Sequence, residues 1–228
     1  MKYAFSWIAG AIVGVVLLLA GLYYNPFAGN ADVSPLVVSG QPLLDLSYST
    51  VPAEAIAFTN NGESGVEPRP EKIAELWEPT IRKTSVLVAH LTNSRGETQG
   101  IGVKFVSGSE RTNLLSGDAL IDSAWHLYLP ERGSLFVEQT ENVWSYVRNI
   151  VIPARWNAAD SWRGTWYGVM TAGPNALGTA RVSGGSGSFA GMTTEAIESV
   201  NARAYSALEG PVSVTGNLTI AMTEPTAD

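Results

Sequence analysis

The chain contains no cysteine, and only two of its 228 residues are histidine. The first absence removes disulfide frameworks, thiol nucleophiles and cysteine-rich metal sites, and leaves the redox compartment open. The second leaves His90 and His126 as the only imidazoles, without the H-x-H or H-x-x-x-H spacing that would favour a shared metal. No metal and no cofactor are expected. Basic residues are also scarce. Fourteen Lys and Arg stand against 21 Asp and Glu, for a formal net charge of -7. No basic stripe offers a footprint to a phosphate backbone, so no nucleic-acid partner is expected. Ser116-Gly117 and Ser186-Gly187 lack the surroundings of a nucleophile elbow. Glu195 and Glu198 differ by three positions and point to opposite faces of a strand, which argues against a paired-carboxylate site.

Charge is absent altogether from Tyr3 to Tyr24. About 20 apolar residues suffice to cross a bilayer core as a helix. Tyr3, Trp7, Tyr23 and Tyr24 stand near the ends of the run, where amphipathic rings favour the headgroup level. Lys2 and the terminal amine are the nearby cations, and the next basic residue is Arg69. This bias puts the N-terminus in the cytoplasm and the remainder outside. Gly29-Asn30-Ala31 is a poor match to a signal-peptide cleavage site, which favours a retained anchor over residues 1–25. The expected location is the inner (plasma) membrane, single-pass, with a periplasmic domain. Gly10 and Gly14 have the spacing of a helix-packing face, which suits an oligomer or a membrane-protein partner.

Residues 26–80 read as a proline-rich lead in which no long regular element fits. Leu36–Ser39 and Leu43–Ser49 are candidate short strands lying on the domain, and Asn60–Gly65 is a loop. Pro70–Trp77 is a short helix with Ile73, Leu76 and Trp77 on one face.

Residues 81–223 read as one β domain, followed by a tail at 224–228. Thr84–Thr92 and Thr98–Val106 form a hairpin around Asn93-Ser94-Arg95-Gly96, with Gly100 and Gly102 marking a bend. Ala124–Leu129 and Ser134–Gln139 form a second hairpin. A four-residue turn between them would pair Trp125 with Glu138 and His126 with Val137. Residues 142–152 fit a helical stripe with Val143, Val147, Ile150 and Val151, and their β-branched content fits a strand; the helix is favoured, ending at Pro153. Strands follow at Trp162–Thr171, Gly178–Val182, Thr193–Ala207 and Val212–Thr223, with a glycine corner at Gly184–Gly191. The expected fold is mainly β: an antiparallel eight-stranded barrel, closed or nearly closed, with an N-terminal transmembrane helix and one or two short helices.

Seven tryptophans and eight tyrosines are a large aromatic load. Core packing explains much of it; a lined apolar pocket is the sharper reading, with Trp125, Tyr128, Phe136, Trp166 and Phe189 as candidate ligand-binding residues. Glu138, on a strand with Phe136, is the candidate acid or base, because a carboxylate in an apolar cavity holds its proton more tightly. His126 is the second catalytic candidate. The Gly184–Gly191 run has no Lys-Ser or Lys-Thr after it and reads as a tight corner, not a phosphate cradle.

The run Gly184-Gly185-Ser186-Gly187-Ser188-Phe189-Ala190-Gly191, the strand after it, and Gly216-Asn217-Leu218-Thr219-Ile220 resemble the allene oxide cyclase-like and dirigent-like barrels over the last 65 residues or so. The resemblance implies an eight-stranded barrel around an apolar cavity, often in an oligomer, whose shape guides cyclisation or coupling of reactive apolar intermediates. It transfers no catalytic residue. A lipocalin-like barrel fits the same pattern. Three functions are therefore expected to compete: binding of an apolar small molecule in the barrel, a cyclase or isomerase in the same cavity, and a structural or assembly role in a membrane complex.

Overall fold

The structure, a computed structural model, describes residues 2–24, 36, 42–59 and 83–222. The expected strand at 37–39, the loop Asn60–Gly65, the helix Pro70–Trp77 and the tail lie outside the described residues. Eleven strands make one sheet: β1 (Leu43–Ser49), β2 (Ala57–Phe58), β3 (Thr84–Thr92), β4 (Thr98–Gly108), β5 (Leu120–Leu129), β6 (Gly133–Asn142), β7 (Ser161–Val169), β8 (Thr171–Gly173), β9 (Ala180–Gly187), β10 (Thr193–Ser206) and β11 (Gly210–Ala221). The ring runs β1, β11, β10, β9, β6, β5, β4, β3, and every pairing is antiparallel. It returns to β1 through Ser47 opposite Thr92, so the ring is nearly closed.

Period-two patterning sets the two faces of each strand. Along β5, Ser123, Trp125, Leu127 and Leu129 are buried while Ala124, His126 and Tyr128 are exposed. The long β10 serves two neighbours in turn, β9 from Thr193 to Ala196 and β7 from Ser199 to Ser206. Two apolar clusters fill the two ends. Leu46, Leu91, Leu127, Leu129, Leu135, Val182 and Phe189 belong to one. Ile150, Met170, Val200, Ala202 and Val214 make the other, with Tyr146, Trp162, Trp166 and Tyr205 against it. A helical segment closes that second end: α2 (Trp144–Tyr146), a π turn Val147–Val151 and α3 (Ile152–Trp156).

Several expectations are corrected. Leu43–Ser49 is not laid on the domain; β1 pairs with β11 over its whole length and is part of the wall. The second hairpin has a three-residue turn, with Leu129 opposite Gly133, which pairs Trp125 with Val137 and His126 with Phe136. Glu131 at φ +65° and Gly133 at φ +120° allow that tight return. A slip of one residue on β6 reverses every inward and outward assignment on that strand. The glycine run is strand as far as Gly187, and the turn itself is Ser188–Gly191. The helical reading of 142–152 holds, but the helix does not stop at Pro153. Proline lacks an amide donor, and the wider π turn before it fits a helix that carries on to Trp156.

Before the barrel lies α1 (Lys2–Tyr23). Its described side chains, from Trp7 onward, include exposed Ile8, Ile12, Val13, Val16 and Leu17. No helix among the described residues is long and apolar enough to cross a membrane, so the expected transmembrane helix is not established there. The Tyr23 ring lies 5.6 Å from that of Trp156 on α3.

Candidate functional site

Between the two apolar clusters the barrel interior carries charge. Inward positions of β4, β5, β6 and β10 supply Lys104, Ser123, Gln139, Glu141 and Glu198, all buried. Lys104 Nζ lies 2.5 Å from Glu198 Oε1 and 2.8 Å from Glu141 Oε1. Glu198 also accepts from the Tyr48 hydroxyl, from Gln139 Nε2, and from the Trp125 indole N–H at 3.0 Å. Ser123 donates to Glu141, and Gln139 Nε2 lies 3.3 Å from the same carboxylate oxygen. Thr171 donates to Gln139 Oε1 at 2.8 Å and accepts the backbone N–H of Glu198 at 2.7 Å. Trp125 and Tyr48 pack edge to face at 4.7 Å.

The three ionisable groups shift one another. Burial works against ionisation of Glu198, but the Lys104 charge and the donors around it outweigh that and hold its carboxyl below the ordinary range. Glu141 is pushed the other way, by burial and then by Glu198. Burial disfavours the Lys104 ammonium too, yet the two carboxylates keep it charged and raise it above the ordinary lysine range. Of the two carboxyls, Glu141 thus holds its proton the more tightly and Glu198 the less. Lys104 is 7 %, Glu141 3 % and Glu198 1 % exposed, so the centre is sealed by its own side chains. Such a network, with its partners supplied, fixes the arrangement of a core.

A pocket of about 480 Å³ lies on the opposite side of the same strands. Phe105, Val106, Ala124 and Pro174 give it apolar surface, Thr84, Ser107, Arg111, Asp122, Glu138 and Thr140 give it polar groups, and Ser123 and Gln139 of the interior also border it. Cross-strand registry explains the set. Ser107 faces Asp122, Asp122 faces Thr140, Phe105 faces Ala124 and Ala124 faces Glu138, all on the outer side of β4, β5 and β6. Arg111 reaches over from the β4–β5 loop to Asp122 Oδ1 at 3.0 Å and to the Thr140 hydroxyl. Burial works to raise the Asp122 carboxyl, but hydrogen bonds from Ser109, Thr140 and Arg111 together with the Arg111 charge leave it below the ordinary range.

Of the residues singled out from sequence, Glu138 lines this pocket, 3.6 Å from Arg181 across an exposed ion pair. The geometry does not bring it to His126 within an interior cavity. His126, Tyr128 and Phe136 also lie on the outer face, with His126 stacked on Phe136 at 4.6 Å. Trp125 and Phe189 are buried in the apolar end of the barrel, Trp125 at the border of the polar centre. Trp166 lies under the helical segment, edge to face with Tyr146. The outer-face placement of Glu138 and Phe136 follows from the shortened turn. Among the described residues no group of three or more His, Asp or Glu has the arrangement of a metal site.

Sequence reasoning missed Lys104, Glu141 and Glu198 as a group. A charged residue at an inward position of an alternating strand was the available signal; Lys104 lies in phase with Gly100 and Gly102, and Glu198 with Ala196 and Val200. No family model matches the chain, and no curated protein matches it in sequence.

Proposed function

We propose that this protein is a membrane-attached binding domain whose ligand sits in the outer-wall pocket over β4, β5 and β6. The observation that carries the reading is the contrast between the two sides of those strands. Inside, Lys104, Trp125, Glu141 and Glu198 are packed against each other and against the apolar clusters. Outside, about 480 Å³ stays open, within the size range of small-molecule sites. Its Phe105, Ala124 and Pro174 surface suits the apolar body of a ligand. Arg111, Glu138, Ser107 and Thr84 can orient a hydroxyl, amine or carboxyl at the rim. A small amphipathic molecule fits this chemistry better than a purely apolar one. The uncharged run Tyr3–Tyr24, with Lys2 before it, supports attachment through α1 with the N-terminus in the cytoplasm and the barrel on the far side.

The test is native mass spectrometry of the full chain released gently from membranes. A reproducible extra mass, lost in Phe105→Ala and weakened in Glu138→Gln, supports the pocket. A clean mass with no uptake from a lipid or metabolite extract overturns it.

A second reading has its own support. Ile101, Phe105, Tyr128 and Phe136 are all large, apolar and exposed on this same wall. Exposed aromatic surface of this kind is also what a protein partner covers in an assembly role. Cross-linking of the full chain in its membrane distinguishes the two, because a partner would shield Tyr128 and Phe136, which lie outside the pocket.

A further inference from the structure

The two ends of the barrel differ in what their loops expose. At one end the turns are Asn93–Gly96, Pro130–Arg132 and Ser188–Gly191, and none carries an exposed large apolar side chain. The Phe189 of that end is turned inward and 1 % exposed. At the other end three connections do. Leu115 on the β4–β5 loop is 71 % exposed, Trp156 at the end of α3 is 75 %, and Leu208 on the β10–β11 turn is 78 %.

These three belong to one rim. Ala207 donates its N–H to Asp160 O at 2.8 Å, which ties the Leu208 turn to the loop after Trp156. Val143 donates to Ala119 O at 2.9 Å, and Asn142 Nδ2 to Gly117 O at 3.2 Å, which tie the Leu115 loop to the start of the helical segment. Single exposed apolar residues are ordinary on a protein surface. Exposed apolar side chains also stand elsewhere, Leu177 and Tyr128 among them, so the three tips count only together with what lies beside them. A second observation points to the occupant. The C-terminal ring of α1, Tyr23, touches Trp156 of this rim, so the end of the apolar helix lies beside it, although β1 begins at the opposite end with Leu43 opposite Ala221. Tyr23, Tyr24 and Trp156 together form the kind of aromatic belt that favours the headgroup level.

We infer that this rim lies flat on a lipid bilayer, with Leu115, Trp156 and Leu208 inserted among the headgroups. The inference rests on the anchor reading above and adds the orientation of the domain. Charge contributes little to it. The rim carries Arg111, Arg148 and Arg155 against Glu110, Asp118, Asp160 and Glu209, so anionic lipid offers no net attraction. Insertion of apolar tips drives the contact, and the polar turns of the opposite end face away into water.

Because the chain has no cysteine, single probes can be placed at will. The full chain is reconstituted in phosphatidylcholine vesicles as Leu115→Cys, Leu208→Cys, Arg95→Cys and Ala190→Cys, each labelled with an environment-sensitive fluorophore, and lipids with a headgroup-level quencher are added. The expected result is a blue shift and loss of emission for positions 115 and 208, with 95 and 190 unaffected, and no change with phosphatidylglycerol or salt. Vesicles that float with the protein while all four probes report water overturn the orientation and leave the anchor standing. Protein that does not float with vesicles, with every probe in water, overturns both. Quenching at 115 and 208 that requires phosphatidylglycerol and vanishes in salt overturns insertion, because it shows charge attraction instead.

Discussion

Lys104 and Glu198, 94 positions apart in the chain, meet at 2.5 Å inside the barrel. The pair is buried, so its two charges depend on each other for solvation. Removing one partner of a buried pair leaves an uncompensated charge and costs about 3–5 kcal/mol. Lys104→Met is therefore expected to lose stability of that order in urea unfolding at neutral pH. Glu141→Gln is expected to lose less, about 1 kcal/mol, because an amide keeps most of the hydrogen bonding and Lys104 keeps its closer partner Glu198. Equal losses in the two variants would show that Lys104 depends on Glu141 and not chiefly on Glu198.

The same centre sets a pH dependence with two signs. Glu198 lies below its ordinary range, so it contributes stability above that range, and this is lost as pH falls through its folded value. Glu141 lies above its ordinary range, so the fold keeps a proton that the unfolded chain releases. Its contribution is present below about pH 4.3, the unfolded value, and declines as pH rises toward the folded value. The slope approaches about 1.4 kcal/mol per pH unit in that window. Urea midpoints measured from acid to neutral pH are expected to fall on the alkaline side for the wild type and to stay level for Glu141→Gln. A wild-type curve that rises throughout would overturn the assignment.

Glycine makes room for the rings that donate to Glu198. A Cβ on Gly216 would come within 2.1 Å of the Tyr48 ring, and one on Gly102 within 2.8 Å of Trp125. Gly216→Ala is expected to cost about 1–3 kcal/mol by overpacking. In a double-mutant cycle with Tyr48→Ala the two losses should be strongly non-additive, since the clash disappears with the ring. Additive losses would place the effect in the backbone of β11 and not in the contact.

The alternation of β3, β5 and β11, and the turn chemistry of Asn93–Gly96, made the antiparallel sheet legible in the sequence. Thr84–Thr92 was bounded residue for residue because a polar turn follows it and apolar residues fill it. Long-range pairing was not legible. Leu43–Ser49 looked like a strand lying on the domain among prolines, and only its partner β11 makes it wall. The hairpin register turned on one residue in Pro130–Arg132, and that residue decided whether Glu138 faced a cavity or the outer pocket. Lys104, Glu141 and Glu198 come from three strands, and no spacing in the chain encodes their meeting.

Glu138 and Phe105 lie on the outer wall, and their substitution separates binding from folding. Glu138 is 69 % exposed at its side chain and touches Arg181 only at 3.6 Å. Exposed positions without a special role usually change stability by no more than about 0.5 kcal/mol. Glu138→Gln is thus expected to leave the unfolding curve in place, and Phe105→Ala to move it little, since Phe105 is 46 % exposed. Both are expected to reduce uptake of a small amphipathic ligand, read by the loss of the bound mass or by titration against the intrinsic tryptophan fluorescence. Lys104→Met should show the reverse pattern: a weakened fold with the pocket intact at temperatures where it remains folded. If Lys104→Met abolishes uptake in the folded protein while Glu138→Gln and Phe105→Ala do not, the ligand reaches the barrel interior and the outer pocket is not its site.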